Sequence, residues 1–537
     1  MPGWNFADVW EVVAERLPDA PALIDHRGTR TWAEVDRRAD GIARTLLDLG
    51  VQRQDKVAQY LYNCPEYLES LFAIWKAGLA PVNTNYRYAD DELLYLWDNA
   101  DAVAVVFHGT FAERIESLRG KLPAIKGWLW LDDGSGPCPD WAIPYEEGAA
   151  RGGEGRAVPP WGRDGDDLYM LYTGGTTGMP KGVMWRQDDL FALLNRSNMM
   201  LRYPEDGGLD DVRAMLDKPG LVGLPAAPLM HGTGAMVSFS ILNAGGAIVT
   251  LPSRTFDAAE LLDAVHDHRV NVIAFVGDAF GKPMLQALEA EPERWDISSL
   301  LAIVSSGVMW SEETKQGLLR HHPKMLLVDM FSSSEALGLG SSVSSGAGTT
   351  STAKFSLGEH AKVITDDGRE VQPGSGEVGR VAVKGRTPIG YYKDPEKSAR
   401  TFLVIDGERY SVPGDYATVE ADGTLRLLGR GSVCINTGGE KVYPEEVEEV
   451  LKTHPAVRDA VCVGVPDDRW GEAITALVEP AAGEVVDEDD VIGHVKGRLA
   501  SFKAPKRVLV VETIGRAPNG KVDYKRLKAE AISRSGV

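Results

Sequence analysis

Cysteine is scarce in this chain, with four among 537 residues. The four, Cys64, Cys138, Cys434 and Cys462, form no CxxC pair and have no spacing typical of zinc ligands. The pattern favours neither a disulfide framework nor a zinc site. We therefore expect reduced, mostly structural thiols in a cytoplasmic protein.

Basic residues are also few relative to acidic ones. The chain has 57 lysines and arginines and 78 aspartates and glutamates, for a formal net charge of -21. Nucleic acid and anionic membranes repel an acidic surface, so neither is expected as a main partner. A polyanionic ligand would need positive charge concentrated at one place.

The sequence lacks a continuous apolar run that could span a bilayer as a helix. Residues 219–253 carry no formally charged side chain, and their number would suffice. Glycine and proline interrupt the stretch repeatedly, so we expect a buried sheet and helix there instead. The first residues carry acids early and no basic segment, so a signal peptide is not expected.

A chain of this length exceeds what one hydrophobic core usually supports, so at least two domains are expected. Helical and strand patterns alternate over the first 150 residues. One example is the capping box Thr31–Glu34, which begins a helical pattern that ends at Gly50. The alternation predicts an α/β fold with a mostly parallel sheet covered on both faces.

The pattern changes twice further along the chain. Residues 341–352, rich in serine, glycine and threonine, predict a loop, and short alternating strands after it predict a β-rich subdomain around 354–428. Gly429–Ser432 has the composition of a flexible joint. The predicted organisation is a large domain over 1–429, which includes the β-rich subdomain, and a small α/β domain over 430–537.

A dense group of candidate ligand-binding residues lies at Tyr172–Val183, after the strand-like run Leu168–Leu171. Glycines let backbone N–H groups approach phosphate oxygens, threonine hydroxyls donate further hydrogen bonds, and Lys181 supplies a point charge. The stretch lacks the Walker A spacing. It predicts a polyphosphate-binding loop, and an ordinary surface turn is the alternative.

Further motifs follow in a fixed order. They are Pro228–Gly234, Ser306–Val308, Phe331–Glu335, Gly414–Asp415, Gly429–Arg430, Ile435–Glu448 and Pro518–Lys521. Together with Tyr172–Val183 they resemble the signature motifs of the acyl-adenylate-forming superfamily, which includes acyl-CoA synthetases, non-ribosomal peptide adenylation domains and firefly luciferase. The resemblance covers nearly the whole chain, and the order of the motifs makes it specific.

The resemblance implies an enzyme that uses ATP, Mg²⁺ and coenzyme A. The residues that it implies for the nucleotide and for coenzyme A are Thr173, Gly174, Gly175, Thr176, Thr177, Gly178 and Lys181 at the β- and γ-phosphates, Ser306, Gly307, Val308, Asp329 and Phe331 near adenine, Ser334 at the α-phosphate, Asp415 at the ribose, Arg430 at the hinge, and Gly438 and Gly439 at the thiol-donor tunnel. Glu335 is the implied magnesium ligand. Lys521 is the implied catalytic lysine on a mobile C-terminal domain. His231 is placed beside the acyl carboxylate, with a core histidine as the alternative.

The sequence departs from the pattern of this superfamily in two of its motifs, and one departure is Ser332 in place of the usual glycine. Phe331 keeps an aromatic ring but lacks the hydroxyl of the usual tyrosine, and Ser334 keeps a donor where threonine is usual. Ser432–Val433 replace the usual charged pair after the hinge arginine. Hinge rotation is expected to survive this change.

The substrate is predicted from the residues around the expected acyl pocket. Gly232 stands where amino-acid-activating relatives have an aspartate that binds the amine, so an amino acid is not expected. The pocket segments Met230–Phe239, Phe275–Phe280 and Val308–Trp310 are largely apolar or small, which favours a hydrophobic carboxylate. The residues of the motifs are most similar to those of bacterial synthetases for fatty acids or steroid side chains.

The predicted function is an ATP-dependent acyl-CoA synthetase. It would convert a hydrophobic carboxylic acid to an acyl-adenylate and then to its CoA thioester, releasing AMP and pyrophosphate. Three alternatives remain open: an adenylation enzyme that loads a carrier protein, although no carrier module follows, a luciferase-like oxygenase, and a non-catalytic nucleotide- or lipid-binding relative. A homodimer is compatible with the sequence.

Overall fold

The computed structural model describes residues 3–173, 179–198, 200–307, 310, 312–349, 354–430, 435–442, 444–515 and 524–535. The helices are α1 (Phe6–Arg16), α2 (Trp32–Leu47), α3 (Pro65–Lys76), α4 (Asp90–Asn99), α5 (Ala112–Arg119), α6 (Tyr145–Ala150), α7 (Gln187–Ser197), α8 (Leu209–Met215), α9 (Gly232–Asn243), α10 (Ala258–His268), α11 (Gly277–Ala290), α12 (Glu312–His321), α13 (Pro395–Thr401), α14 (Pro444–Lys452), α15 (Glu488–Lys496) and α16 (Tyr524–Ser535).

The strands follow in the same chain order. They are β1 (Pro21–Asp25), β2 (Gly28–Thr31), β3 (Lys56–Tyr60), β4 (Ala80–Asn83), β5 (Ala102–His108), β6 (Gly127–Leu131), β7 (Ile143–Pro144), β8 (Leu168–Thr173), β9 (Lys181–Arg186), β10 (Val222–Pro225), β11 (Ala247–Val249), β12 (Val272–Phe275), β13 (Ala302–Ser306), β14 (Leu326–Ser333), β15 (Ala336–Ser344), β16 (Lys354–Leu357), β17 (Ala361–Ile364), β18 (Gly379–Lys384), β19 (Gly390–Tyr391), β20 (Phe402–Ile405), β21 (Glu408–Ser411), β22 (Asp415–Val419), β23 (Leu425–Arg430), β24 (Ile435–Thr437), β25 (Glu440–Val442), β26 (Val457–Asp467), β27 (Gly471–Pro480) and β28 (Arg507–Val510).

One sheet has the strand order β19-β9-β8-β4-β3-β5-β6-β7. The pairs between β8 and β7 are parallel, as predicted. Every residue of β5 is buried, as expected for a mostly apolar strand covered on both faces. Helix α3 is buried along its whole length and packs against β4 of this sheet and β1 of the next. The α/β prediction is confirmed.

A second sheet contains β1, β11, β10, β12, β13 and β14 as neighbouring parallel strands. It continues through β15, β16 and β23, which pair antiparallel. The predicted β-rich part around 354–428 therefore extends this sheet, while side chains such as Phe355, Val381 and Ala417 give it an apolar core of its own. The carboxyl ends of β13 and β14 lie in the parallel half.

Two predictions about irregular or membrane-like stretches have different outcomes. The uncharged stretch 219–253 forms β10, α9 and β11, as expected. No helix among the described residues is long and apolar enough to cross a membrane. The loop predicted over 341–352 is wrong at its start, because β15 runs to Ser344. Pairing with β14 and β16 on its two sides overrides the weak strand preference of serine and glycine.

The third sheet lies within residues 435–515 and has the order β25-β24-β27-β26, with β28 beside β27. Helices α14 and α15 pack on one face through side chains that include Val447 and Val491. Helix α16 packs on the other face through Leu527 and Ala531. Residues after 434 thus have their own sheet and core, separate from the two larger sheets.

Candidate active site

A cavity of about 900 Å³ lies where the carboxyl ends of β8, β13 and β14 meet the turn between β24 and β25. Open α/β sheets place their ligands at this edge. The residues predicted from the sequence that line it are Thr173, His231, Ser306, Gly307, Ser334, Glu335, Gly438 and Gly439. The fold therefore brings together groups that are up to 266 positions apart in the chain (173 to 439).

The predicted phosphate loop connects two antiparallel strands. Thr173, at the end of β8, lies opposite Lys181, at the start of β9. Lys181 Nζ lies 2.7 Å from Asp394 Oδ2, and 12% of the lysine side chain is exposed. Gly174 to Gly178 lie outside the described residues. The hairpin thus positions a threonine hydroxyl and a lysine at the two ends of the predicted loop.

Glu335 is held at the cavity wall by contacts from neighbouring strands. Its carboxylate accepts a hydrogen bond from the Tyr391 hydroxyl at 2.7 Å, and only 5% of the residue is exposed. Its carbonyl oxygen accepts a hydrogen bond from Ser411 Oγ at 2.6 Å. A carboxylate is the hard oxygen ligand that Mg²⁺ prefers, so the residue present fits a magnesium ion. Tyr391 was not predicted from the sequence.

Two residues predicted near adenine point away from the cavity. In β14 the residues Leu326, Val328 and Met330 line the cavity, and Asp329 lies on the opposite face. Burial raises the pKa of Asp329 to about 6 against the opposing charge of Lys315, whose Nζ is 3.8 Å away.

Phe331 lies next to a register shift in β14, between Phe331 and Ser333. Its ring packs against Phe355 of β16, with ring centroids 5.6 Å apart. The structure therefore does not bring Asp329 and Phe331 to the cavity lining, whereas Ser306, Gly307 and Ser334 are there. Val308 lies outside the described residues.

His231 lies at the N-terminus of α9 and contacts a residue of the C-terminal unit. Its Nε2 is 3.3 Å from Glu440 Oε1, and Arg87 Nη1 lies 2.7 Å from the same oxygen. Burial alone would raise the pKa of Glu440, but the nearby His231 and Arg87 lower it to about 2. No role was predicted from the sequence for Glu440 or Arg87, although Glu440 directly follows the two glycines of a predicted motif.

Gly438 and Gly439 form the turn between β24 and β25 at the cavity mouth. Both have positive φ, 59° and 82°, a conformation that side-chain-bearing residues rarely adopt. A Cβ on Gly438 would lie 2.9 Å from the Trp470 ring, and one on Gly439 would lie 3.6 Å from Val276 Cγ1. The absence of a side chain at Gly438 lets this turn pass close to the Trp470 ring.

A buried ion pair makes a second contact between the C-terminal unit and the rest of the chain. Lys503 Nζ lies 2.7 Å from Glu92 Oε1, and the two side chains are 2% and 1% exposed. The other oxygen of Glu92 accepts a hydrogen bond from the Ala500 N–H at 2.9 Å. The pair fixes one orientation of the C-terminal unit, in which Gly438 and Gly439 face the cavity.

Asp415 and Arg430, predicted at the ribose and at the hinge, lie opposite each other on β22 and β23. Asp415 is 7% exposed and lies outside the cavity lining. Lys521 falls outside the described residues, which end at 515 before resuming at 524.

Comparisons with known proteins agree with this architecture. The AMP-binding enzyme family matches residues 10–392, and the AMP-binding enzyme C-terminal domain matches residues 446–521. The chain therefore belongs to the AMP-binding enzyme family. Among solved structures, the amide bond synthetase McbA from Marinactinospora thermotolerans superposes with a TM-score of 0.78 at 23% identity, covering 98% of this chain and 99% of that chain. This likeness shows the fold.

More similar relatives narrow the class. The medium/long-chain-fatty-acid--CoA/3-oxocholest-4-en-26-oate--CoA ligase of Mycolicibacterium smegmatis is 38% identical over 98% of this chain and 96% of its own length. The 3-oxocholest-4-en-26-oate--CoA ligase of Rhodococcus rhodochrous is 39% identical, over 98% and 95%. This chain is an AMP-forming acyl-CoA ligase that uses ATP, Mg²⁺ and coenzyme A to convert a hydrophobic carboxylic acid to its CoA thioester. The function predicted from the sequence is confirmed.

Proposed function

We propose that this ligase activates long hydrophobic acids of the fatty-acid and steroid side-chain classes. The cavity carries the proposal, because it continues from Thr173 and Glu335 between α9 and the strands β13 and β14, all three of which contribute lining residues. The apolar side chains lining this part are Leu194, Met236, Val237, Ile241, Val272, Val304, Val328 and Met330. Burying an acyl chain against them contributes about 25 cal/mol per Å². The ligases from Mycolicibacterium smegmatis and Rhodococcus rhodochrous are named for such acids.

For the first half-reaction we assign the phosphate side of the cavity to ATP. The Thr173–Lys181 hairpin would hold the β- and γ-phosphates, Ser334 would donate to the α-phosphate, and Glu335 would hold Mg²⁺. Bound Mg²⁺ neutralises negative charge on the phosphates. A carboxylate oxygen of the acid attacks the α-phosphorus, the bond to pyrophosphate breaks, and an acyl-adenylate forms. This displacement needs in-line placement and charge neutralisation more than a general base.

The remaining predicted residues complete this assignment. Ser306 and Gly307 would lie against adenine, and Asp415 would accept hydrogen bonds from the ribose hydroxyls. Lys521 would bring a positive charge to the carboxylate and α-phosphate oxygens, and His231 would lie beside the acyl carboxylate. The roles of Asp329 and Phe331 near adenine stay predictions.

For the second half-reaction we propose that the large unit, 1–429, and the small unit, 430–537, swivel at Arg430–Ser432. The position of Gly438 and Gly439 in the cavity lining supports this, because the thiol is expected to enter beside these two glycines. The thiol sulfur attacks the acyl carbon, and the bond to AMP breaks. The opposite rotation would then deliver Lys521 for adenylation.

A ligation screen tests the substrate proposal. The purified chain is incubated with ATP, Mg²⁺, coenzyme A and one acid at a time from fatty, aryl-alkanoic and steroid side-chain sets. We expect thioester formation with long fatty and steroid acids, in amounts equal to the AMP released. Preference for short or aryl acids would contradict the proposal. A carrier protein offered in place of coenzyme A tests the alternative that the enzyme loads a carrier protein, in which case acyl transfer to that protein would be seen.

The cellular setting and assembly state are further proposals. ATP and coenzyme A are both substrates, which supports action in the cytoplasm, and fluorescence microscopy of the tagged chain tests this. Homodimer formation stays a prediction, and light scattering of the purified chain tests it.

A further inference from the structure

The cavity has a second mouth, at the amino ends of the strands that form its floor. The lining there includes Leu301 beside the start of β13, Leu326 at the start of β14, and Met200. Met200 is 62% and Leu301 is 46% exposed, so the cavity reaches solvent at this end. At about 3.3 Å per residue, the path along β13 from Leu301 to Gly307 is roughly 20 Å long.

One lysine of the lining, Lys218, lies at this far mouth, because it comes four residues before the start of β10, which runs parallel to β12 and β13. The lysines and arginines that line the cavity within the described ranges are Arg87, Arg196, Lys218, Lys384, Arg386 and Lys503. All but Lys218 form an ion pair with a carboxylate: Arg87 with Glu440, Arg196 with Glu205, Lys384 with Glu408, Arg386 with Asp188, and Lys503 with Glu92. Lys218 has neither a hydrogen bond nor an ion pair with any described residue. In a chain with net charge -21, a cation without a carboxylate partner is available to a ligand.

Building on the proposed function, we propose that Lys218 is a specificity-determining residue that donates a hydrogen bond to an oxygen at the far end of the acid. The ligand class is a long carboxylic acid with a carbonyl oxygen about 20 Å from the reacting carboxylate, given the strand length above. A charge-assisted hydrogen bond to such a carbonyl is stronger than a neutral one. A plain fatty acid offers only a methyl group at this position.

The width of the channel is compatible with a bulky acid of this kind. Its lining includes the small residues Gly220, Ser240 and Ala244. The acid named for the relatives, 3-oxocholest-4-en-26-oate, carries its ring carbonyl and its carboxylate at opposite ends. The far mouth would thus distinguish an oxo acid from an unsubstituted acid of equal length.

The experiment compares hexadecanoate with 15-oxohexadecanoate in the full-length enzyme. We measure the ratio of kcat/KM for the oxo acid to that for the plain acid in the unchanged chain, in Lys218→Met and in Lys218→Arg. Lys121→Met is the matched control, because Lys121 is exposed and lies outside the cavity lining. We expect Lys218→Met to lower the ratio roughly fivefold, and the other two variants to retain it.

Two results would overturn the inference. One is an unchanged ratio of kcat/KM for the oxo acid to that for the plain acid in Lys218→Met. Equal losses of activity on both acids would leave this ratio unchanged and would count as this result. The other comes from Ser240→Phe, which narrows the channel and should lower activity on both long acids relative to octanoate. If the ratio of long acids to octanoate is unchanged in Ser240→Phe, the acyl chain does not follow this path. Failure of the proposed function is distinguishable, since the unchanged chain would then ligate neither long acid.

Discussion

Glu440 Oε1 lies 3.3 Å from His231 Nε2, although the two residues belong to units with separate sheets. The same oxygen is 2.7 Å from Arg87 Nη1. One buried carboxylate of the C-terminal unit is therefore paired with two basic groups of the large unit at the cavity mouth. In the same arrangement Gly438 and Gly439 line the cavity.

The Glu440 contact predicts a pH-dependent arrangement of the two units. The pKa of Glu440 is lowered to about 2 from an ordinary 4.5, so its ionised form stabilises the docked arrangement. This contribution is fully present above about pH 4.5 and is lost as the pH falls towards 2. Small-angle scattering should show no separation of the units between pH 7 and pH 5 and a growing separated fraction as the pH falls from 4.5 towards 2, whereas Glu440→Gln should show a separated fraction already at pH 7. Identical scattering curves for both chains would refute this.

Lys521→Ala should separate the two half-reactions. We expect the rate of ATP–pyrophosphate exchange to fall about 10²- to 10³-fold, as for loss of one charged transition-state contact. Thiolysis of supplied acyl-adenylate should change much less, because the lysine would act only in the other orientation. Lys121→Ala is the control, and equal losses in both half-reactions would argue against the assignment.

Gly438→Ala should impair the other half-reaction. Its Cβ would lie 2.9 Å from the Trp470 ring at φ 59°, so the turn must shift at the cavity mouth. We expect thiolysis to fall about tenfold, for a cost near 1.4 kcal/mol, while pyrophosphate exchange is largely retained. Gly483→Ala is a matched control, because φ there is 82° with no atom within 4 Å of a Cβ. Slower thiolysis in the control as well would point to general destabilisation.

Lys503→Met should weaken the docking of the C-terminal unit. It leaves the buried carboxylate of Glu92 without its cation, a change that typically costs about 3–5 kcal/mol. Limited proteolysis should then cut between 430 and 435 faster than in the unchanged chain. The double variant Lys503→Met with Glu92→Leu removes both charges and should restore much of the protection. Unchanged cleavage in the single variant would show that the pair does not hold the units together.

Local patterns in the sequence were enough to predict many elements. The strand-like run Leu168–Leu171 lies within β8, and the capping box of Thr31 with Glu34 begins α2 as expected. Each of these signals lies within a few residues of the element that it predicts. The parallel sheets followed from the alternation of such elements.

Contacts between distant residues could not be predicted in the same way. Arg87 and Glu440 are 353 positions apart, and nothing near either residue indicates the other. The sequence also did not indicate to which face of a strand a given side chain points. Asp329 and Met330 are adjacent, yet only Met330 lines the cavity, because successive side chains point to opposite faces.

The unbroken hydrogen bonding from β14 through β15 and β16 to β23 has a thermodynamic consequence. The parallel half and the β-rich half of the large unit belong to one hydrogen-bonded sheet. Unfolding of either half would therefore expose the strand of the other half that pairs with it. Calorimetry should record a single endotherm for this part of the chain, and any separate heat absorption should come from the five-stranded unit alone.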